Sequence, residues 1–174
     1  DTKDTNIKTK VLQEYEKMLD KALNDLDNSD MDYLSKNNLK NKYNSKYFKM
    51  LEDIENSPGS VLIYSQFRSI EGLGIFMKTL NNQKYKEISL IKSDDGYRFE
   101  DLSIFDEEYD NYRYIIFSND REKTNQLMYL FNGEFNLLDS KLYNLLPDRI
   151  KNNDKFQLYG KLIKIMMITQ SGAE

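Results

Sequence analysis

The stretch SVLIYSQFRSIEGLGIF, residues 60–76, constrains the fold more than any other part of this 174-residue chain. It begins with a short apolar run, Val61 to Tyr64, which follows Pro58-Gly59 and is typical of a strand buried on both faces. A polar turn comes next, and apolar residues then recur at the spacing of a helix. A strand, a turn and a helix form the first half of a βαβ unit, so the stretch predicts an α/β fold.

The same alternation continues along the chain and predicts three further strands. These strands are expected at Tyr85–Ile91, Tyr112–Phe117 and Ile163–Ile168. Ser45 is expected to cap a helix before the first strand, and Asn119 with Glu122 is expected to form a capping box after the third. Strands that alternate with helices indicate a parallel sheet with flanking helices.

An amphipathic helix is expected near the N-terminus, between Lys8 and Leu26. Its apolar positions keep helical spacing and its charged positions lie on the opposite face. This pattern favours a helix docked on the domain, with a coiled-coil contact to a partner as the alternative.

Composition excludes several classes of site. The chain has no Cys and no His, so disulfides, cysteine nucleophiles and the usual transition-metal ligands are absent. No apolar run reaches the length of a membrane span and no signal-peptide pattern is present, so we expect an intracellular protein that is not secreted and does not enter a membrane.

The net charge of −4 is unevenly distributed along the chain. Residues 92–110 carry eight acids and two bases, a net charge of −6, which leaves +2 for the remainder. We interpret residues 92–111 as an acidic insertion, expected to be a solvated surface excursion, with an interaction patch as the alternative. Residues 133–159 are expected to form a second excursion.

Two polar segments follow predicted strands and are the candidate functional sites. They are Ser65-Gln66-Phe67-Arg68 and Thr169-Gln170-Ser171-Gly172. Ligands of open α/β sheets bind at the carboxyl ends of strands, where hydroxyls, amides and an Arg suit phosphate oxygens. Ordinary turn and cap chemistry is the alternative. No GxxxxGK[ST] loop occurs, and the glycines of Gly72-Leu73-Gly74 lie too far past the strand for a dinucleotide fingerprint.

These two segments also carry a resemblance to a known family. VLIYSQFRSIEGLGIF resembles motif IV of superfamily 2 helicases, in the form found in the Swi/Snf-like helicases of nucleocytoplasmic large DNA viruses, which include the poxvirus early transcription factor and mimivirus-like helicases. KIMMITQSGAE resembles the start of motif V, within which the chain stops. The resemblance covers residues 43–174, and residues 1–42 are expected to be a helical extension.

The resemblance implies the second RecA-like lobe of an ATP-dependent helicase or translocase. Ser65, Gln66 and Arg68 would be the motif IV contacts to the DNA or RNA backbone. Thr169, Ser171 and Gly172 would be those of motif V, and Gly172 is also a candidate link to ATP. ATP and Mg²⁺ would belong to the complete enzyme, together with its first helicase lobe. The resemblance also implies viral transcription machinery as a partner, and a location in the virion or in viral factories of the host cytoplasm.

The sequence departs from the family at positions that matter for catalysis. Family members carry an Arg near the position of Thr124, and the Walker motifs and motif VI do not occur in these 174 residues. Phosphoryl transfer needs the phosphate loop, the metal and the Arg together, so we expect this chain alone to bind no ATP and to hydrolyse none. The alternative function is a non-enzymatic, degenerate lobe that binds nucleic acid or scaffolds a viral transcription or virion complex.

Overall fold

The structure is a computed structural model that describes most of the chain from residue 32 onward and parts of the segment before it. Residues 13–15, 17–18, 21–22 and 24–26 are helical, but Tyr15 and Met18 are 45% and 70% exposed. The expected docking of this helix on the domain stays a prediction, since Val11, Leu12, Leu19 and Leu23 of its apolar face lie outside the described residues. The described residues are 13–15, 17–18, 21–22, 24–26, 28, 32–66, 73–94, 96–117, 119–153 and 155–169, with the side chain of Thr169 excepted.

Helices and strands alternate along part of the described chain, but the predicted strand Tyr85–Ile91 is divided: Lys86–Glu87 belongs to the parallel sheet, and Leu90–Ser93 belongs to an antiparallel hairpin that the sequence did not predict. The helices are α1 (Lys36–Asn38, followed by a π-helical turn at Leu39–Tyr43), α2 (Ser45–Asn56), α3 (Ile75–Asn82), α4 (Arg121–Asn132), α5 (Ser140–Leu145) and α6 (Asp148–Lys151). The strands are β1 (Val61–Ser65), β2 (Lys86–Glu87), β3 (Leu90–Ser93), β4 (Gly96–Phe99), β5 (Arg113–Ile116) and β6 (Ile165–Thr169).

Four strands form a parallel sheet in the order β1-β6-β5-β2, which confirms the predicted α/β class. β6, the last strand of the described residues, therefore lies inside the sheet, between β1 and β5. Every residue of β6 from Ile165 to Met167 is buried, as an apolar central strand of a parallel sheet requires.

Helices cover the two faces of the sheet and create two hydrophobic clusters. On one face, α2 and α3 pack with Ile63, Tyr114 and Met167. On the other face, α4, α5 and the β3–β4 hairpin pack with Ile115 and Met166. The alternation of neighbouring residues between the two clusters follows from the period of two along a strand.

β1 differs from the expectation of a strand buried on both faces. Its burial alternates: Ile63 is buried, whereas Leu62 and Tyr64 are 58% and 55% exposed. Among the described residues β1 pairs with β6 alone, so it is an edge strand covered on one face. An apolar sequence run could not distinguish this environment from a central strand, because both favour the same residues.

Residues 92–111 also differ from the predicted solvated excursion. β3 and β4 form an antiparallel hairpin, and two short 3₁₀ turns, Ser103–Phe105 and Glu107–Tyr109, follow it. Tyr97, Phe99, Ile104 and Phe105 are buried in the cluster on the α4 face, where Phe99 and Phe105 meet edge to face. The acidic residues lie between these aromatic and aliphatic anchors, and the segment is part of the core.

Both predicted helix caps are displaced by one residue. Asn44, and not Ser45, caps α2 by accepting from the Tyr47 amide at 3.1 Å. Asp120, and not Asn119, caps α4 by accepting from the Lys123 amide at 3.1 Å. In both places two neighbouring side chains can cap, and the backbone geometry decides which of them does.

Candidate nucleic-acid interface

The carboxyl ends of β1 and β6 meet at one edge of the sheet. The two strands pair in parallel from Val61 opposite Ile165 to Ser65 opposite Thr169. The last residues of the two predicted motifs are therefore direct neighbours.

The helices that follow β1 and β5 lie on opposite faces of the sheet. After β1 it continues to α3, whose Phe76 and Leu80 pack on the same face as Ile63. After β5 it continues to α4, whose Leu127 and Leu130 pack on the opposite face. In open α/β sheets, ligands bind at the carboxyl ends of the strands beside such a change of face.

Three of the six predicted site residues fall within the described part of the chain. Ser65 is half-buried at the end of β1, and Gln66 follows it with an exposed side chain. Thr169 ends β6, and its backbone position is described. Arg68, Ser171 and Gly172 lie outside the described residues, so their predicted contacts stay predictions.

Thr124, at the position where the resemblance expects an Arg, lies in α4 and is 7% exposed. Arg121, at the start of α4, is exposed.

The β3–β4 hairpin reaches the carboxyl end of β5 through a contact that the sequence did not indicate. The hydroxyl of Tyr97 donates to Oδ2 of Asp120, the residue that caps α4. The ladder between β5 and β6 continues to this point, since the Phe117 amide donates to the Met167 carbonyl at 2.9 Å. The hairpin therefore packs beside the start of α4, near the carboxyl end of β5.

Hydrogen bonds from Tyr97 and from the Lys123 amide hold the pKa of Asp120 below its ordinary value, and the nearby Lys92 charge acts in the same direction. The same contact raises the pKa of Tyr97 to about 12, because the hydrogen bond to Asp120 favours the neutral phenol. The sequence gives no signal for this pair, because 23 residues separate Tyr97 from Asp120. The two side chains meet only in the folded chain.

We expect the stabilising effect of Asp120 to depend on pH. A carboxyl whose pKa is lower in the folded chain stabilises the fold above its ordinary pKa of about 3.9, and this stabilisation is lost as the pH falls through the folded value. Asp120→Ala should therefore be less stable than wild type at pH 7, and the difference should shrink as the pH falls below about 4. Urea unfolding of wild type and Asp120→Ala, at pH 7 and at a pH below about 4, measures this difference in stability.

Asp94→Ala is the control, since Asp94 is an exposed carboxylate in the turn between β3 and β4. Tyr97→Phe should raise the pKa of Asp120, which carboxyl NMR titration reports. An Asp120→Ala variant as stable as wild type at pH 7 would contradict the role of the cap.

Within the described ranges, no helix combines the length and apolarity that a membrane span requires. Nor do those residues bring three or more metal-ligating side chains together. No family model, curated protein or solved structure matches the chain.

Proposed function

We propose that this chain is the second RecA-like lobe of a nucleic-acid helicase or translocase and contacts the phosphodiester backbone at the carboxyl edge of β1 and β6. The observation that carries the proposal is the parallel pairing of Ser65 with Thr169. Two polar segments separated by about a hundred residues of sequence therefore begin at adjacent positions of one sheet edge.

The chemistry of this edge suits a phosphate backbone. The exposed amide of Gln66 and the hydroxyls of the two segments are uncharged hydrogen-bonding groups, and Arg68 would add the charge. Contacts of this kind carry no information about base sequence, so we expect binding with little sequence preference.

ATP would supply the energy for movement in the complete enzyme. Gly172, the residue through which the resemblance links this lobe to ATP, lies outside the described residues, and we derive no step through the nucleotide for this chain. What the chain's own residues would contribute is the backbone track at the edge of the sheet.

Fluorescence anisotropy with labelled single- and double-stranded DNA and RNA tests the proposal at several salt concentrations. Binding should weaken as salt rises, because cations that contact phosphates release counterions. The Gln66→Ala, Arg68→Ala double variant should bind about 10-fold more weakly, and loss of one cation should reduce the salt slope on a single strand by about 0.7.

Lys155→Ala is the matched control for the loss of one positive charge, since Lys155 is exposed in the loop before β6. It should leave both affinity and salt slope close to those of wild type. Equal weakening by the control and by the double variant would indicate non-specific attraction and contradict the proposed track. Absence of binding at low salt would favour the scaffolding module.

A further inference from the structure

A cleft of about 590 Å³ lies at the opposite edge of the sheet, where the strands begin. The end of α2 and the loops before β5 and β6 form its walls. Its lining includes Lys36, Glu55, Tyr112, Tyr159 and Lys164. A volume of this size is within the range of clefts that hold small molecules. The site proposed above lies at the carboxyl edge, so the two regions are separate.

Lys164 is a cation buried in the wall of this cleft. Its residue is 6% exposed, and its Nζ donates to the carbonyl oxygens of Ser57 at 2.6 Å and Gly59 at 2.8 Å. Two of the three N–H groups are thereby used. Among the described residues, no carboxylate oxygen lies within 4.0 Å of Lys164 Nζ.

A buried ammonium group without a counterion is unfavourable, because desolvation is not offset by an opposite charge. Burial accordingly lowers the pKa of Lys164. The other charges of the lining do not offset this cation, since Lys36 and Glu55 form an ion pair with each other. Among the described residues, the lining therefore has one positive charge in excess, at Lys164, and one N–H group of that residue is left for a further acceptor.

Tyrosine rings form the remaining walls of the cleft. Tyr159 and Tyr112 are 62% and 41% exposed, so both side chains are accessible to a ligand. The Tyr112 ring meets the ring of the buried Tyr85 in an edge contact, at a centroid distance of 5.1 Å. Flat, accessible rings beside a cation favour a planar, partly apolar ligand that carries a negative group.

We propose that this cleft binds a small anion with a planar ring, whose carboxylate or phosphate oxygen accepts the third N–H of Lys164 while its ring lies against Tyr112 and Tyr159. The proposal is independent of nucleic-acid binding at the carboxyl edge.

Titration of ¹⁵N-labelled protein with adenosine monophosphate, benzoate and inorganic phosphate tests it. The two ring-bearing anions should shift the amides of Ser57, Gly59 and Asn111, with dissociation constants of about 1 mM or below. Inorganic phosphate should bind about 10-fold more weakly, because it lacks the ring contact. The amides of Ser65 and Gln66 should not move with benzoate, which separates this cleft from the carboxyl edge.

Lys164→Met should abolish binding of both ring-bearing anions, and Lys155→Met, which removes an exposed lysine, should leave it unchanged. If Lys164→Met does not fold, Tyr159→Ala decides the question, since that side chain is mostly exposed. Tyr159→Ala should weaken adenosine monophosphate and benzoate about 5-fold and leave inorganic phosphate unaffected. The proposal would be overturned if the amides of Ser57, Gly59 and Asn111 did not shift at a ligand concentration 10-fold above the expected dissociation constant of about 1 mM. Full binding by a folded Lys164→Met variant would overturn it as well.

Discussion

Arg113→Met is expected to lower the free energy of unfolding by about 3–5 kcal/mol, because it removes a fully buried cation from a hydrogen-bond network. Arg113 has no exposed surface. Its Nη1 donates to Oδ1 of Asp110 at 3.0 Å and to the Lys161 carbonyl at 3.2 Å. Nε and Nη2 donate to the carbonyls of Ile104 and Asp106.

This network attaches residues 104–110 to the sheet and to the loop before β6. Without the guanidinium group, several buried or partly buried carbonyl oxygens lose a donor, and the Asp110 carboxylate, which is 11% exposed, loses one of its cationic partners. Arg149 and Lys161 also contact Asp110, at 3.0 and 3.5 Å, so the Asp110 carboxylate would keep these two cations as partners. Each unsatisfied buried group costs about 1–3 kcal/mol, which is why the expected loss is large.

Urea unfolding of Arg113→Met and of Arg98→Met measures the effect. Arg98 lies on β4 with an exposed side chain, and its replacement should change stability by about 0.5 kcal/mol or less. A loss below about 1 kcal/mol for Arg113→Met would show that methionine packing compensates for the network, as can happen when a buried ion pair becomes apolar.

Gln157→Leu is expected to lower the free energy of unfolding by about 2–4 kcal/mol. The amide of Gln157 pairs with the main chain of Ile163 as a second strand would: Oε1 accepts from the Ile163 amide at 2.7 Å, and Nε2 donates to its carbonyl at 2.9 Å. Nε2 also donates to Oγ of Ser60 at 3.0 Å. Leucine has nearly the same volume but leaves the buried Ile163 groups without these partners.

Thermal and urea unfolding of Gln157→Leu, beside Gln13→Leu as an exposed control, measures this loss. Gln157→Glu is a useful third variant, since it keeps the acceptor and removes the donor. It should be destabilised at pH 7, where a carboxylate faces the Ile163 carbonyl. If the leucine variant were as stable as wild type, water or a local backbone shift would have to supply new hydrogen-bond partners to the Ile163 amide and carbonyl.

Local sequence patterns indicated the parallel strands, the helices that cover them and part of the candidate site, but not the division of Tyr85–Ile91 between β2 and the β3–β4 hairpin. The apolar runs before Ser65 and before Thr169 indicated two strands, and the end of each run located the polar segments at the strand ends. Periodicity also indicated the helices that cover the sheet. These features are visible in sequence because each depends on neighbours within about ten residues.

Other parts of the site depend on contacts between distant residues. The acidic composition of residues 92–111 suggested solvent exposure, but the aromatic residues among the acids anchor the segment in the core. The sequence around Tyr97 and around Asp120 did not indicate their hydrogen bond, because no local pattern relates two residues so far apart in the chain. Arg113 was one charged position in a strand-like run, and its acceptors converge only when residues 104–110 and the loop before β6 fold against β5.

The sequence by itself determined an α/β chain with parallel strands, flanking helices and two polar segments at strand ends. The tertiary structure decided that β6 enters between β1 and β5, that β1 is an edge strand, and that a buried lysine lines a cleft at the other edge. The physical reason is that periodicity reports which side of an element is buried, whereas strand order and the partners of buried charges depend on which distant surfaces and carbonyl groups the folded chain brings together.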